Sequence, residues 1–340
     1  NEYLQWLADE VYTALCDAYG RADILILETD ARNAQTNALD RFWYEQFVLP
    51  WELRRRRIDL LYTAKNLAVF RASCPQVIAI RNMEPFRYRA FKNAWVLDVQ
   101  SRLKWELTKR SIIRAAAIVA VSNAVRDAVI EQFPNVAEKI HVVYNGNPLS
   151  SNTEYGIQNT EHPFLLTASK FVSYANQLTL VDGYARLVAR QSDAPPLWFA
   201  GGVHDAQYFR RVQDRVTELR LTDRIRFLGM VAQDALHGLM RTASAFVFPS
   251  MLEACPHTLI EAMACGVPIA TSTTPPMPEM CGDAAVYFAP RDPDAIAAAL
   301  SRILTDAALR DRLVAVGRDR AATFTWERTA RELVRIFERT

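Results

Sequence analysis

Residues 245–270 read Ala-Phe-Val-Phe-Pro-Ser-Met-Leu-Glu-Ala-Cys-Pro-His-Thr-Leu-Ile-Glu-Ala-Met-Ala-Cys-Gly-Val-Pro-Ile-Ala. The order of residue types predicts strand, loop, helix, strand. Residues 245–248 are all apolar, as a strand covered on both faces requires. Residues 249–257 are loop-like and carry Glu253. Residues 258–265 are good helix formers with Glu261 among them. Gly266 stands just past them, where a left-handed cap is wanted, and Pro268 opens the next strand. In α/β proteins, a loop that leaves a strand and feeds a helix N-terminus is where ligands bind. The free N–H groups and positive dipole end of such a helix suit a phosphate.

The same alternation extends in both directions. Upstream it predicts strand 164–168, helix 177–188, strand 197–200, helix 208–219, strand 225–227 and helix 234–240. Downstream come strand 284–288 and helices 293–304, 309–322 and 326–338. Residues 150–162, rich in Ser, Asn, Thr, Gly and Gln, read as a linker. Before it lies a second series. A helix over 1–19 (Leu4, Leu7, Val11 and Leu15 at helical spacing) precedes an apolar strand at 24–27, a polar loop at 29–37 and a helix at 41–55. Strands at 59–62 and 76–80, a helix at 101–114, a strand at 118–121, a helix at 123–132 and a strand at 140–143 complete it. Strands alternating with helices imply parallel sheets joined by crossovers. The fold class expected is α/β, with two Rossmann-like domains facing across a cleft.

Composition agrees with a globular chain of two domains: 340 residues, 50% of them hydrophobic. A net charge of +2 argues against a nucleic-acid partner. The charge is uneven, since residues 81–114 hold nine basic side chains against three acidic ones. That run, with Phe86, Tyr88, Phe91, Trp95 and Trp105 interleaved, suits a solvated face, an anionic membrane surface or a lipid-linked acceptor. Five cysteines without a C-x-x-C pair read as reduced thiols of a cytoplasmic protein, at the inner face of the membrane if the basic run docks there. No apolar run reaches membrane-span length, and no signal peptide is visible. The chain opens without Met on a helix-like pattern, so a segment upstream is expected.

The pair Glu253 and Glu261, in its setting Phe-Pro-Ser…Glu-Ala-Met-Ala-Cys-Gly-Val-Pro, resembles the Glu-x7-Glu hallmark of retaining, family-4-like glycosyltransferases with the GT-B fold. Weaker similarities fall in the right order along nearly the whole chain. They include residues 43–50, 75–82, 115–126, 139–147 and 226–231, and Phe324-Thr325-Trp326. The resemblance implies an acceptor-binding domain over 1–150, a linker at 151–162, a donor-binding domain over 163–323 and a last helix at 324–340 packing back on the first domain. The family's first strand and Gly-rich loop are absent from this sequence.

The resemblance also implies roles. Glu253 lies by the donor sugar, and Glu261 accepts hydrogen bonds from ribose hydroxyls, for which two carboxylate oxygens are well suited. The alternative is a solvated Glu253 and a Glu261 that serves the helix dipole. Cys255, His257, Thr258 and Leu259 would line the nucleotide site, with the His257 and Thr258 N–H groups serving it because Pro256 has none. Gly201 and Met230 would line it from neighbouring loops. Lys170 stands where the family places an Arg against the diphosphate, and Ala175 where it places a Lys. Asn82, after a strand, either reaches a sugar hydroxyl or caps a turn. Asp292-Pro-Asp294 mimics a metal motif, but helix capping explains it, and no metal is expected.

The activity implied is metal-independent transfer of a hexosyl group from a UDP- or GDP-linked sugar to a glycan or lipid-linked hydroxyl. Ala175 motivates an alternative: a weak or inactive nucleotide-sugar-binding partner subunit on the same fold. A nucleotide-sugar epimerase would need acid–base groups that the five His residues do not supply.

Overall fold

The computed structural model describes residues 42–86, 95–147 and 163–340, with Thr13 and Leu149. The chain divides into two compact units, Asn1–Gly146 with Thr325–Thr340, and Asn147–Phe324.

Among the described residues of the first unit, four parallel strands lie in the order β1 (Leu61–Thr63), β2 (Gln76–Ile80), β3 (Ala117–Ala120) and β4 (Ile140–Val142). Helix Trp95–Arg114 precedes β3, and helix Asn123–Gln132 connects β3 to β4. Ser122 starts the latter by accepting the Val125 N–H. The last helix, Trp326–Arg339, repeats its apolar residues three and four apart, and that stripe is buried on the sheet. Trp326, Leu333 and Ile336 pack with Val77, Ala79, Ala117, Val119 and Val143. Thr329 Oγ1 donates to the Tyr144 carbonyl at 2.7 Å. The chain enters this helix so closely past Gly146 that a Cβ there would lie 2.6 Å from the Trp326 ring and backbone.

The expected helix at 41–55 is α-helical at 42–43 and over Leu49–Arg56. Before it, Tyr44–Val48 widens into a π turn, with the Leu49 N–H reaching the Tyr44 carbonyl. Pro50 is the reason: it has no N–H for the Gln46 carbonyl, and its ring would crowd that group in a regular turn.

In the second unit six parallel strands run in the order β10-β9-β8-β5-β6-β7. They are β5 (Leu165–Ala168), β6 (Leu197–Ala200), β7 (Ile225–Gly229), β8 (Ala245–Phe248), β9 (Ile269–Ser272) and β10 (Ala285–Phe288). Every residue of β5, β8 and β9 is buried, since helices cover both faces. Helices Gln177–Arg190 and Pro293–Thr305 cross at Gly183, where a Cβ would stand 2.7 Å from Ile296 Cβ.

Strands β2, β6 and β8 and helix Asn123–Gln132 fall on the residues the sequence assigns to them. The expected helix at 101–114 begins earlier, at Trp95. Short helical turns at Pro134–Lys139, Ser173–Ala175 and Met277–Cys281 escape the periodicity, the last because Pro276 and Pro278 hide it. The expected helix at 1–19, strand at 24–27, loop at 29–37, linker at 151–162 and Cys16 lie outside the described residues.

The four described cysteines are free thiols. Burial pushes the Cys265 thiol up to about 11 and the Cys281 thiol to about 12. No described helix is long and apolar enough to cross a membrane.

Candidate functional site

The site follows from the strand order of the second unit. From β5 the chain builds outward through β6 to β7, and from β8 it builds the other way through β9 to β10. The order therefore reverses between β5 and β8, which pair at Leu165↔Ala245 and Leu166↔Phe246. At such a switch point the loops leaving the carboxyl ends of the two strands diverge and open a crevice. The loop after β5 carries Lys170, and the loop after β8 carries Glu253.

The β8 loop is held rigidly. Ser250 is 1% exposed, and its Oγ lies 2.8 Å from Glu253 Oε1. Its carbonyl accepts from Ser272 Oγ at 2.7 Å, and the Met251 N–H donates to the Tyr174 carbonyl at 2.7 Å. Burial raises the Glu253 carboxyl from 4.5 to about 7, against the Ser250 hydrogen bond and the Lys170 charge, which both lower it. A carboxyl poised near neutrality in a crevice is unusual for a structural group.

Helix His257–Cys265 begins at Pro256 without a side-chain cap and ends at Gly266, left-handed with φ 75°. Gly266 is therefore the cap that the sequence predicts. At the other end, the His257 N–H donates to the Cys255 carbonyl, and the Leu259 N–H to the Pro256 carbonyl, both at 3.0 Å. Of the N–H groups singled out from sequence, only that of Thr258 has no acceptor among the described residues. The Leu259 side chain is fully buried in the core, and its N–H is engaged. Cys255 and His257 are half-buried at the mouth of the loop.

Glu261 is held by side chains of a neighbouring helix. It is 5% exposed, accepts from Gln233 Nε2 at 3.2 Å, and stands 3.8 Å from His237 Nε2. Both partners come from helix Gln233–Thr242. Sequence spacing gave no signal for either, because they lie 28 and 24 residues away and meet Glu261 only through helix packing.

Lys170 is exposed, with its ammonium 5.5 Å from the Tyr174 ring centre. Ala175 is 2% exposed at the end of the turn Ser173–Ala175. The residues around it are the ones sequence reading missed. Gln177 Nε2 donates to Ser169 Oγ and to the Lys170 carbonyl, which fixes the Lys170 loop. Asn176 adopts a left-handed conformation, φ 63°. Its amide donates to the Pro249 carbonyl at 3.1 Å and the Pro290 carbonyl at 2.6 Å, tying three loops together. Asn tolerates this conformation better than other side chains. Asn176→Ala is expected to cost about 3 kcal/mol, from two orphaned carbonyls and a strained backbone. Urea unfolding checks this, and Asn176→Gly should recover about 1 kcal/mol of it by removing the strain alone.

Gly201 (φ 142°) and its neighbour Gly202 follow β6, and Met230 follows β7. The Gly201 N–H donates to the Gly229 carbonyl at 2.8 Å. Met230 is 83% exposed, and its sulfur lies over Gly202, where a Cβ would be 2.6 Å away. Lys170, Gly201, Met230 and Glu253 thus share the carboxyl edge of one sheet. Asn82 belongs to the other unit, where its Oδ1 accepts the Glu84 N–H at 2.8 Å, so it caps a turn. Asp292 caps helix Pro293–Thr305 by accepting from the Asp294 and Ala295 N–H groups. Asp294 pairs with Arg186 and Arg190.

The basic segment needs a correction too. Phe86 is buried, and Trp105 packs between Phe86 and Phe133 with ring centres 5.6 and 5.5 Å away. These two aromatics serve the core rather than a membrane, while Arg102, Lys104, Lys109, Arg110 and Arg114 are exposed. Residues 87–94 lie outside the described residues.

Comparison with known proteins agrees with the fold. The family profile "Glycosyl transferases group 1" matches residues 154–320, and "Glycosyltransferase Family 4" matches residues 17–150. The O-antigen chain mannosyltransferase B of Escherichia coli is 36% identical over 114 residues, covering 34% of this chain and 30% of that protein. The O-antigen chain mannosyltransferase RfbU of Salmonella typhimurium is 29% identical over 229 residues, covering 67% and 60%. The chain thus spans less than two thirds of the length of either relative. Among solved structures, WaaG, a glycosyltransferase involved in lipopolysaccharide biosynthesis, superimposes with a TM-score of 0.72 at 15% identity, over 98% of this chain and 95% of that one. Anabaena HepE in complex with UDP and glucose gives a TM-score of 0.68 at 19% identity, over 89% and 84%.

Proposed function

Because the chain belongs to the family-4-like glycosyltransferases of the GT-B fold, we propose that it moves a hexosyl group, with retention of configuration, from a UDP- or GDP-linked sugar to a hydroxyl of a glycan or lipid-linked acceptor. The observation that carries this reading is the location of Lys170 and Glu253 on the two loops that diverge at the β5/β8 switch point, beside the open N-terminus of helix His257–Cys265. UDP bound by HepE and the mannosyl transfer of the O-antigen enzymes support the donor class.

In this reading Glu261 takes the ribose hydroxyls, held by Gln233 and His237. Lys170 and the Thr258 N–H stabilise the diphosphate as the sugar–oxygen bond breaks. Glu253 orients the sugar hydroxyls. The acceptor oxygen attacks from the face the diphosphate leaves, and the departing phosphate oxygen takes its proton. No enzyme nucleophile and no metal enter the step.

A second reading, a nucleotide-sugar-binding partner subunit without turnover, draws on Ala175. That residue is buried and neutral where the family places a Lys. Release of UDP or GDP from a panel of labelled hexosyl donors, with candidate glycan acceptors, separates the two. The enzyme reading predicts release that Lys170→Ala lowers about a hundredfold, the loss of one preorganised cation. Tight donor binding with no release under any acceptor, and no gain on Ala175→Lys, would establish the second reading.

A further inference from the structure

The first unit contains a cavity that the proposed reaction does not use. It lies between β4, the last strand of the sheet among the described residues, with its extension to Tyr144, and the outward side of helix Trp326–Arg339, and its volume is about 590 Å³. Its walls carry Arg126, Arg328, Arg335 and Arg339 against a single lining carboxylate, Glu332. Helical spacing explains the alignment. Arg328, Arg335 and Arg339 stand seven and four residues apart on one side of the helix, opposite the stripe that buries Trp326, Leu333 and Ile336.

Among the described residues, two of the four charges are met by carboxylates and two are not. Arg328 pairs with Glu332 at 2.9 Å, and Arg126 with the exposed Asp127 at 2.8 Å. Arg335 and Arg339 pair with no carboxylate among the described residues. His141, on the cavity wall, is half-buried, and its imidazole is held below the usual value of 6.5 by burial first and by Arg339 second. It adds no cation of its own, but it registers the positive field. Two guanidinium forks four residues apart on one helix face match the oxygens of a phosphate better than a lone carboxylate, which would neutralise only one of them. The volume suits a small ligand or a headgroup rather than a macromolecular surface.

We propose that this cavity is an anion site, separate from the donor site of the second unit, which binds a phosphate-bearing group through Arg335 and Arg339 with Arg126 and Arg328 at its margin. The shared chemistry is a group with two or more negative charges, supplied either by a soluble phosphate compound or by an anionic lipid headgroup.

The test uses the full chain with inorganic pyrophosphate in calorimetry, and with phosphatidylcholine vesicles containing or lacking a quarter phosphatidylglycerol in sedimentation. Four proteins are compared: the wild type, Arg335→Ala/Arg339→Ala, Lys170→Ala, which weakens the proposed donor site, and Arg210→Ala/Arg211→Ala. The last removes two exposed arginines of the other unit and so controls for net charge. The arginines replaced are exposed and face away from the core, so thermal melts should coincide with the wild type.

The expected result is pyrophosphate binding in the wild type that weakens at least tenfold in Arg335→Ala/Arg339→Ala, persists in the other two variants, and falls steeply between 50 and 200 mM salt, values chosen to span strong and moderate screening at roughly physiological strength. Loss of vesicle binding in the same double variant would identify a lipid headgroup as the source, and loss of pyrophosphate binding alone a soluble phosphate. Wild-type affinity in Arg335→Ala/Arg339→Ala, equal losses in Arg210→Ala/Arg211→Ala, or no binding of either probe by the wild type would overturn the proposal.

Discussion

Glu253→Gln is expected to lower sugar transfer about a hundredfold at alkaline pH and to flatten its pH profile. The carboxyl of the unliganded protein titrates at about 7, raised by burial over the opposing effects of Ser250 and Lys170. If the ionised group orients donor hydroxyls, as two acceptor oxygens would, wild-type transfer rises as pH passes through 7. Gln keeps the shape but has one acceptor oxygen and no ionisation, so its rate is low and nearly constant. Initial rates across pH 5.5 to 8.5, a range set to bracket that titration at roughly one and a half units either side, decide the point. A Gln variant that tracks the wild-type profile would remove Glu253 from the site.

The same group makes an opposite prediction for stability. Its folded value, about 7, lies above the ordinary 4.5. The stabilisation from the neutral form is therefore complete below pH 4.5 and is lost as pH rises through 7. Relative to Glu253→Gln, the wild type should lose about 3 kcal/mol between those limits, as an upper estimate. Urea midpoints of the two proteins measured at both ends read it directly. Activity and stability thus pull the same carboxyl in opposite directions, as expected where a binding group is held in a low-dielectric crevice.

The largest stability effect is expected at Gly201. Its φ of 142° is a conformation that residues with a Cβ avoid, and an added Cβ would stand 2.0 Å from the Ser169 carbonyl oxygen and 3.3 Å from the Lys170 nitrogen. Both neighbours are backbone, so no side chain can swing aside. Gly201→Ala must move the loop after β5 or the loop after β6, at a cost of about 4 kcal/mol or more. Because the loop after β5 carries Lys170, donor binding should weaken along with stability. Gly229→Ala is the control. Its φ is 68°, but nothing lies within 4 Å of the added atom, so it should cost only about 1 kcal/mol. Equal denaturation midpoints for the two variants would contradict this account.

The sequence was most informative where one residue type had one physical use. The all-apolar run of β8 falls on the strand that the sequence predicts, and Gly266 is the left-handed cap. Asp292 is the helix cap that the sequence predicts. Legibility ended where function depends on residues distant in sequence. Nothing local marks Asn176 as the tie between the loops at Pro249 and Pro290, 73 and 114 residues away. The Gln233 and His237 partners of Glu261 are hidden for the same reason. Leu259 was readable in principle: it lies four residues before Met263, and that spacing puts both on the buried face of the helix.

Ala175 sharpens the site rather than closing it. With that position buried, the described cation beside Glu253 is Lys170, placed by Gln177 and by the Tyr174 ring. A chain with one cation at the diphosphate should depend on it more steeply than one with two, which makes Lys170 and Glu261 the residues on which the proposal stands.

The most direct test is a calorimetric titration of UDP- and GDP-hexoses into the wild type and Glu261→Ala, repeated with 2′,3′-dideoxy nucleotides. The account predicts that one of the two donors binds the wild type and binds Glu261→Ala at least about tenfold more weakly, the loss of a charge-assisted hydrogen bond. That difference should vanish when the ribose hydroxyls are absent. Equal affinity of the two proteins for the intact donor, or no binding of either donor to the wild type, would contradict it.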